Sequence, residues 1–162
     1  MTMRFKRAVI VIAVAATGLL STASPAWADV TFFLGLSPTP QSRQVRGFAG
    51  GINMLVIGFE FDYAATAADA AKGAPSLRTG MMNGLIMTPT KTQLYLTAGG
   101  GFYREAFTGS SSTSFGTNIG GGIKVGLIGP VQMRVDYRVF NLRGSARYKT
   151  PQRIYAGLNI HF

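Results

Sequence analysis

The sequence lacks cysteine, has few charged residues, and contains no long apolar segment after its first 28 residues. Without cysteine the protein cannot form a disulfide, a thiolate metal site or a lipid-modified cysteine anchor. A single histidine, His161, adds too little for a transition-metal site. The charged fraction of 14% and the hydrophobic fraction of 47% nevertheless argue against disorder, and 162 residues suffice for one domain.

The first 28 residues have the three parts of a cleavable secretory signal peptide. They begin with a basic region (Arg4, Lys6 and Arg7), continue with an apolar region, and end in small residues that include Ala-Trp-Ala. The apolar region is shorter than the roughly 17 residues that a bilayer-spanning helix needs. We therefore predict a signal peptide over residues 1–28 and a single mature domain over residues 29–162.

The last ten residues set the pattern for the rest of the mature chain. Ile154, Leu158, Ile160 and Phe162 lie on one parity and Tyr155 lies on the other, which predicts a strand with one apolar face. Similar alternation recurs seven more times, as is typical of transmembrane β-strands. The eight predicted strands are residues 30–36, 44–54, 55–64, 77–87, 92–104, 114–127, 131–140 and 153–162.

The connections between these strands alternate in length. Four are long, near residues 37–43, 65–76, 105–113 and 141–152, and the three between them are tight. Outer-membrane barrels have an even number of strands, long external loops and short periplasmic turns. The pattern therefore predicts an all-β fold, an eight-stranded antiparallel up-and-down transmembrane β-barrel in which the first strand closes against the last.

The second face of the strands indicates which way the apolar face points. It combines charged residues with many glycines, such as Gly58, Gly120 and Gly122, which would only weaken the strands of a soluble barrel. Small residues beside long charged ones suit the narrow lumen of an eight-stranded barrel. We therefore assign the apolar face to lipid. In the fourth strand Met81 and Met82 interrupt the alternation, so its lipid-facing parity stays open.

With these features the mature chain resembles the small eight-stranded outer-membrane β-barrel proteins of Gram-negative envelopes, such as the opacity-type surface proteins and the barrel of outer membrane protein A. Further points of resemblance are the glycine-rich residues 47–53 and the sequence Phe-Glu-Phe-Asp-Tyr at residues 59–63. The resemblance implies a place in the bacterial outer membrane, reached through the periplasm with chaperones. It also implies that Leu158, Ile160 and Phe162 form the signal read by the outer-membrane assembly machinery.

Six ionisable residues are predicted to face the lumen: Glu60, Asp62, Lys124, Arg134, Asp136 and Arg138. Counted from the turns, Asp62 and Arg138 lie at a similar depth. An unpaired charge in a narrow lumen costs several kcal/mol, so these charges must pair. We expect a salt-bridged plug that closes the barrel. The alternative is a narrow path for ions or small solutes through the same residues.

Basic residues are concentrated at the end of the barrel that carries the long loops. The net charge of +10 falls to about +7 after cleavage, since the signal peptide contains three of the 16 basic residues and none of the six acidic ones. We expect these bases to contact the anionic lipopolysaccharide leaflet; capture of an external polyanion by the last loop is the alternative. The bases concerned are Arg43, Lys72, Arg143, Arg147 and Lys149, with Arg46, Arg78, Arg104 and Arg153 at the adjoining strand ends.

Enzymatic activity is the remaining possibility. Some small outer-membrane barrels that this chain resembles in fold modify lipid A with a histidine and a nearby serine at the external leaflet. Here His161 lies near the turn end of the last strand, whereas the serines of Ser110–Ser114 lie at the opposite end, so no Ser/His pair can assemble. We therefore predict no enzymatic activity, no cofactor and no nucleic-acid partner. The sequence favours a monomeric barrel with a structural or surface-interaction role.

Overall fold

The computed structural model describes residues 26–39, 41–107 and 109–162, and within them the chain forms eight antiparallel β-strands. The strands are β1 (Trp27–Ser37), β2 (Arg43–Met54), β3 (Ile57–Thr66), β4 (Ser76–Met87), β5 (Thr92–Phe107), β6 (Ser110–Ile128), β7 (Val131–Leu142) and β8 (Gln152–His161). Each strand pairs with its neighbours in sequence, and β1 also pairs with β8, so the sheet is a closed barrel. This confirms the predicted all-β, eight-stranded up-and-down fold.

Barrel closure joins the two ends of the folded chain. Across the seam between β1 and β8, Phe32 lies opposite Leu158. The backbone N–H groups of Ala28 and Phe162 each donate to the carbonyl of the other at 2.9 Å. The end strands therefore leave no open sheet edge, which is what a barrel in an apolar surrounding requires.

The predicted signal peptide falls largely on residues 1–25, which lie outside the described residues. The structure does describe its last residues, and Trp27 and Ala28 belong to β1. Cleavage after Ala28 would therefore shorten β1 by two residues and remove its hydrogen bonds to Phe162. The pairing of Asp29 and the rest of β1 with β2 and β8 would stay in place.

One end of the barrel, which we call the turn end, carries three tight turns and both ends of the folded chain; the other is the loop end. The β2–β3 turn consists of Leu55 and Val56, and Leu55 adopts a left-handed conformation with φ of 44°. The predicted third strand is therefore two residues too long at its start. The β3–β4 loop contains a 3-10 helix, Ala70–Lys72, capped by the carboxylate of Asp69. No helix in the described part of the chain is long and apolar enough to cross a membrane.

The β5–β6 connection differs from the prediction of a long loop over residues 105–113. The two strands continue to pair beyond Arg104 and Thr113 as far as Phe107 and Ser110, leaving a connection of only two residues. Serine and threonine side chains can stay solvated on both faces of a projecting hairpin, so nothing in this polar segment ends the backbone pairing. The result is a two-stranded hairpin that extends past the other strands.

The two faces of the sheet differ in the way predicted for seven of the strands. On β3, Phe59 and Phe61 are exposed on the outside of the barrel, and the intervening Glu60 is buried inside. The outer face of the barrel is therefore a continuous apolar band, and the inner face is polar.

On β4 the structure settles the parity that the sequence left open. Met82 and Ile86 point outward, at 62% and 70% exposure, whereas Met81 and Leu85 are buried in the lumen. Both faces of β4 are thus partly apolar, which is why its alternation is blurred.

The loop end of the lumen is filled by side chains. Met81, Tyr103, Phe140 and Leu142 form an apolar cluster against which Ala146 of the β7–β8 loop packs. Two cavities nearby have volumes of about 10 Å³ each, room for about one water molecule. At the turn end a wider cavity of about 510 Å³ opens to the outside between the turns.

Candidate functional site

The middle of the lumen holds eight charged residues that we call the lumenal ladder. Each is no more than 3% exposed, and together they are four carboxylates and four cations. They project from β1, β3, β6, β7 and β8, because alternate residues of these strands point to the barrel axis. The members are Asp29, Glu60, Asp62, Lys124, Arg134, Asp136, Arg138 and Arg153.

Arg138 of β7 is the centre of the ladder. Its guanidinium donates to Asp62, to Glu60 at 2.8 Å and to Asp136 at 2.9 Å. It also donates to the hydroxyl of Tyr155 at 3.2 Å. Because the guanidinium has five N–H groups in one plane, a single side chain can bind three carboxylates from two strands.

Arg134 also lies on β7, closer to the turn end than Arg138, and shares two of these carboxylates. It forms a two-point contact with Glu60 and reaches Asp136 at 3.1 Å. Its Nε donates to the Tyr95 hydroxyl at 2.7 Å, and that hydroxyl donates to Asp136. The guanidinium also packs 4.9 Å from the centre of the Tyr95 ring. These contacts leave no buried ionised group of this layer without a partner.

Two outer pairs extend the ladder in both directions. Toward the loop end, Arg153 contacts Asp62 at 3.0 Å and packs 4.7 Å from the centre of the Phe140 ring. Toward the turn end, Lys124 pairs with Asp29, which also accepts from Asn53 Nδ2 at 2.9 Å. The ladder thus crosses much of the lumen as a charge-balanced set of contacts, which fills and rigidifies the interior.

The structure places all six residues that the sequence assigned to the lumen inside it and buried. Sequence reasoning missed two members of the ladder. Asp29 was left out because the predicted first strand starts at Val30, three residues after the observed start at Trp27, and Arg153 was counted among the bases of the loop end. Parity could have found both, because Asp29 shares it with Phe33 and Arg153 shares it with Tyr155.

Arg43 corrects the expectation that it contacts lipopolysaccharide. Its side chain is buried at the loop end of the lumen, where it donates to the carbonyls of Ala67 and Pro75. As the first residue of β2 it lies on the inward parity, so its guanidinium caps loop carbonyls instead of pointing to a membrane surface. The other four predicted lipopolysaccharide-contacting bases, Lys72, Arg143, Arg147 and Lys149, are exposed in the loops.

The remaining candidate residues lie on β8 and beside it. Leu158, Ile160 and the terminal Phe162 are exposed on the outer face, as the predicted assembly signal would be. His161 lies at the turn end, where its backbone N–H donates to the carbonyl of Pro130, far from the serines of the β5–β6 hairpin. Among the described residues no group of three or more His, Cys, Asp or Glu is arranged to hold a metal ion.

Solved structures with the same architecture come from bacterial outer membranes. The N-terminal β-barrel domain of Pseudomonas aeruginosa OprF matches with a TM-score of 0.62 and 13% identity, over 84% of this chain and 97% of that one. Neisserial surface protein A matches with a TM-score of 0.62 and 19% identity, over 85% and 96%. The outer membrane enzyme PagL matches with a TM-score of 0.52 and 14% identity, over 82% and 98%. No family model and no curated protein matches the sequence.

At these identities the likeness shows the fold, which is that of the small outer-membrane β-barrels. It supports a place in the bacterial outer membrane and, with it, the assignment of the apolar outer face to lipid. Because the neighbours include an outer membrane enzyme as well as a surface protein, the shared fold does not determine an activity.

Proposed function

We propose that the protein is a structural component of the outer membrane, a sealed barrel that contributes to the envelope and conducts no solutes. The observation that carries this proposal is the lumenal ladder, with four carboxylates paired to four cations at no more than 3% exposure. Paired charges packed against Tyr95 and Tyr155 leave the middle of the lumen filled by protein atoms.

Energetics favour a permanent seal over a gate. An ion could pass only if the Arg138 contacts with Glu60, Asp62 and Asp136 were opened together, and breaking a buried ion pair costs about 3–5 kcal/mol. Each opened group would need hydration in a space that now holds side chains. The alternative, a narrow pore, requires such openings to be frequent.

Single-channel recording in planar bilayers tests the sealed lumen. We expect the purified protein to give no steady current in potassium chloride, and we expect Arg138→Ala to give measurable current because it removes the centre of the ladder. Lys149→Ala, which removes a charge from an exposed loop, is the matched control and should stay silent. A steady current of the unaltered protein that falls in Arg138→Ala would establish the pore instead.

A surface-interaction role is the second candidate, and the position of the loop bases favours it. Arg147 stacks on Phe107 at 5.0 Å, and its Nη2 lies 3.8 Å from where a β-carbon on Gly73 would be, beside Lys72. Two loops thereby present cations side by side at the loop end. Binding of dextran sulfate to intact cells tests this role: it should fall when Lys72, Arg147 and Lys149 are changed to glutamine, and unchanged binding would rule it out.

A further inference from the structure

Three arginines stand in one hydrogen-bonding row on the outer wall of the barrel. Arg46 of β2 pairs with Ala65 of β3, Ala65 pairs with Arg78 of β4, and Arg78 pairs with Arg104 of β5. All three guanidinium-bearing residues are exposed, and they lie on the outward parity. Neighbouring strands are about 4.8 Å apart, so the row brings three positive charges within about 15 Å.

The row lies at the edge of the apolar band, toward the loop end. On β2 the next outward residue from Arg46 toward the turn end is Phe48. On β5 the next outward residue from Arg104 in the same direction is Phe102. Phe102 in turn contacts Phe115 of β6 edge to face. Aromatic side chains in outer-membrane barrels mark the boundary between the hydrocarbon and the headgroups, so the arginines stand at the level of the lipid phosphates.

The protein supplies no counter-ion for this row. Arg78 and Arg104 are directly opposite each other, an arrangement of like charges that is destabilising by itself. No salt bridge to any of the three forms within residues 26–39, 41–107 and 109–162; Arg104 only donates to Ser111 Oγ at 3.1 Å. The six acidic residues are all used elsewhere: Asp29, Glu60, Asp62 and Asp136 in the lumen, Asp69 beside Lys72, and Glu105 at the backbone of Arg147.

A groove on the wall adjoins the row. Its volume is about 750 Å³, and Leu34, Leu36, Arg46, Ala65 and Arg78 are among the residues that line it. Ala65 is a short side chain between the longer ones of β2 and β4, so the surface is recessed there. The groove therefore has an apolar wall from β1 and two guanidinium groups along its rim.

An apolar groove with cations on its rim matches a phosphorylated lipid of the outer leaflet. The strands of such barrels tilt by roughly 35–45°, so a hydrogen-bonding row changes height as it crosses the wall. The row continues onto β1 through Leu34, which pairs with Arg46. Leu34 is fewer residues from the turn-end residue of its strand, Trp27, than Arg104 is from Thr92, so the row lies deepest in the bilayer at its β1 end. A bound molecule would have its acyl chain beside Leu34 and its phosphate beside the arginines.

We propose that Arg46, Arg78 and Arg104, with the groove above Ala65, form a binding site for one lipopolysaccharide molecule, whose lipid A phosphate bridges the arginines. Two or three guanidinium groups converging on a phosphate form charge-assisted hydrogen bonds and relieve the repulsion between Arg78 and Arg104. The proposal rests on the outer-membrane location of the proposed function, but not on its sealed lumen. It places recognition of the lipid A phosphate on the wall of the barrel and not in the exposed loops, where the sequence alone suggested it.

Binding measurements on the full mature barrel in phospholipid nanodiscs test the site. The probes are purified lipopolysaccharide, the same lipopolysaccharide after enzymatic removal of its lipid A phosphates, and phosphatidylglycerol. The wall variant carries Arg46→Gln, Arg78→Gln and Arg104→Gln. The control carries Arg143→Gln, Arg147→Gln and Lys149→Gln, which removes the same charge from the last loop. Heat-modifiability on gels verifies that both variants fold.

We expect the wall variant to bind lipopolysaccharide at least about tenfold more weakly than the unaltered protein, while the loop variant changes little. Dephosphorylation should weaken binding to the unaltered protein and have little effect on the wall variant. Equal binding by the wall variant and the unaltered protein, or equal binding of phosphatidylglycerol, would overturn the proposal. A conducting barrel that retained this binding would refute the sealed lumen and leave the site standing.

Discussion

At the scale of single residues, the packing of the lumen depends on how many partners the planar guanidinium of Arg138 can bind. Arg138 binds carboxylates of β3 and β7 and the Tyr155 hydroxyl of β8, so it ties three strands together through the interior. A lysine there would offer three donors from a single nitrogen and could not reach the same set. The energetic weight of the ladder should therefore be concentrated at this position.

Arg138→Ala should lower the free energy of unfolding by about 3–5 kcal/mol, because it leaves buried carboxylates without their cation. Urea unfolding of the protein in lipid vesicles, followed by tyrosine fluorescence or gel mobility, measures the change. Lys149→Ala removes a cation from an exposed loop and should stay within about 0.5 kcal/mol. Equal stability of the two variants would mean that the ladder contributes little.

At the scale of elements, β8 has two separate tasks. Its inward residues Tyr155 and Arg153 support the ladder, and its outward residues end in Phe162, which is 68% exposed. After cleavage behind Ala28 the last paired residue of β8 is His161, opposite Asp29, and Phe162 follows it with an exposed ring. An exposed ring at this position is accessible to another protein, as the predicted assembly signal would have to be.

Phe162→Ser separates assembly from stability, because it leaves the paired backbone of β8 up to His161 unchanged and removes only the exposed ring. We expect less folded protein in the outer membrane of cells, together with near-normal refolding of the purified chain in detergent. Phe102→Ser is the matched control, since Phe102 is a lipid-facing phenylalanine of 67% exposure within β5. Heat-modifiable protein in membrane fractions is the readout, and an equal loss for both variants would remove the special role of Phe162.

At the scale of the whole molecule, the barrel is asymmetric along its axis. The turn end has tight connections and both ends of the folded chain, whereas the loop end has the β5–β6 hairpin, two longer loops and most of the exposed bases. Outer-membrane barrels place short turns in the periplasm and longer loops outside. The loop end should therefore face the exterior of the cell.

Limited trypsin digestion of intact cells tests this orientation. Lys72 lies exposed in the β3–β4 loop and Lys91 lies exposed in the β4–β5 turn. We expect cleavage after Lys72 in intact cells, and cleavage after Lys91 only once the outer membrane is permeabilised. Fragment masses distinguish the two sites, and cleavage after Lys91 in intact cells would place the barrel in the opposite orientation.

The alternation of apolar and polar residues determined the number of strands, the lipid-facing parity of seven of them and the six lumenal charges predicted from the sequence. This information is local because side chains alternate between the two faces of a strand whatever it pairs with. The pairing of β1 with β8 was also predicted, because an up-and-down barrel closes only when its first and last strands pair.

Only the tertiary structure decided which charges meet, which carbonyls Arg43 binds, which face of β4 meets lipid, and how far β5 and β6 extend. It also decided that Arg46, Arg78 and Arg104 share one row. These features depend on the register between strands that are distant in the chain, and a shift in register changes every cross-strand neighbour while leaving the alternation of each strand intact.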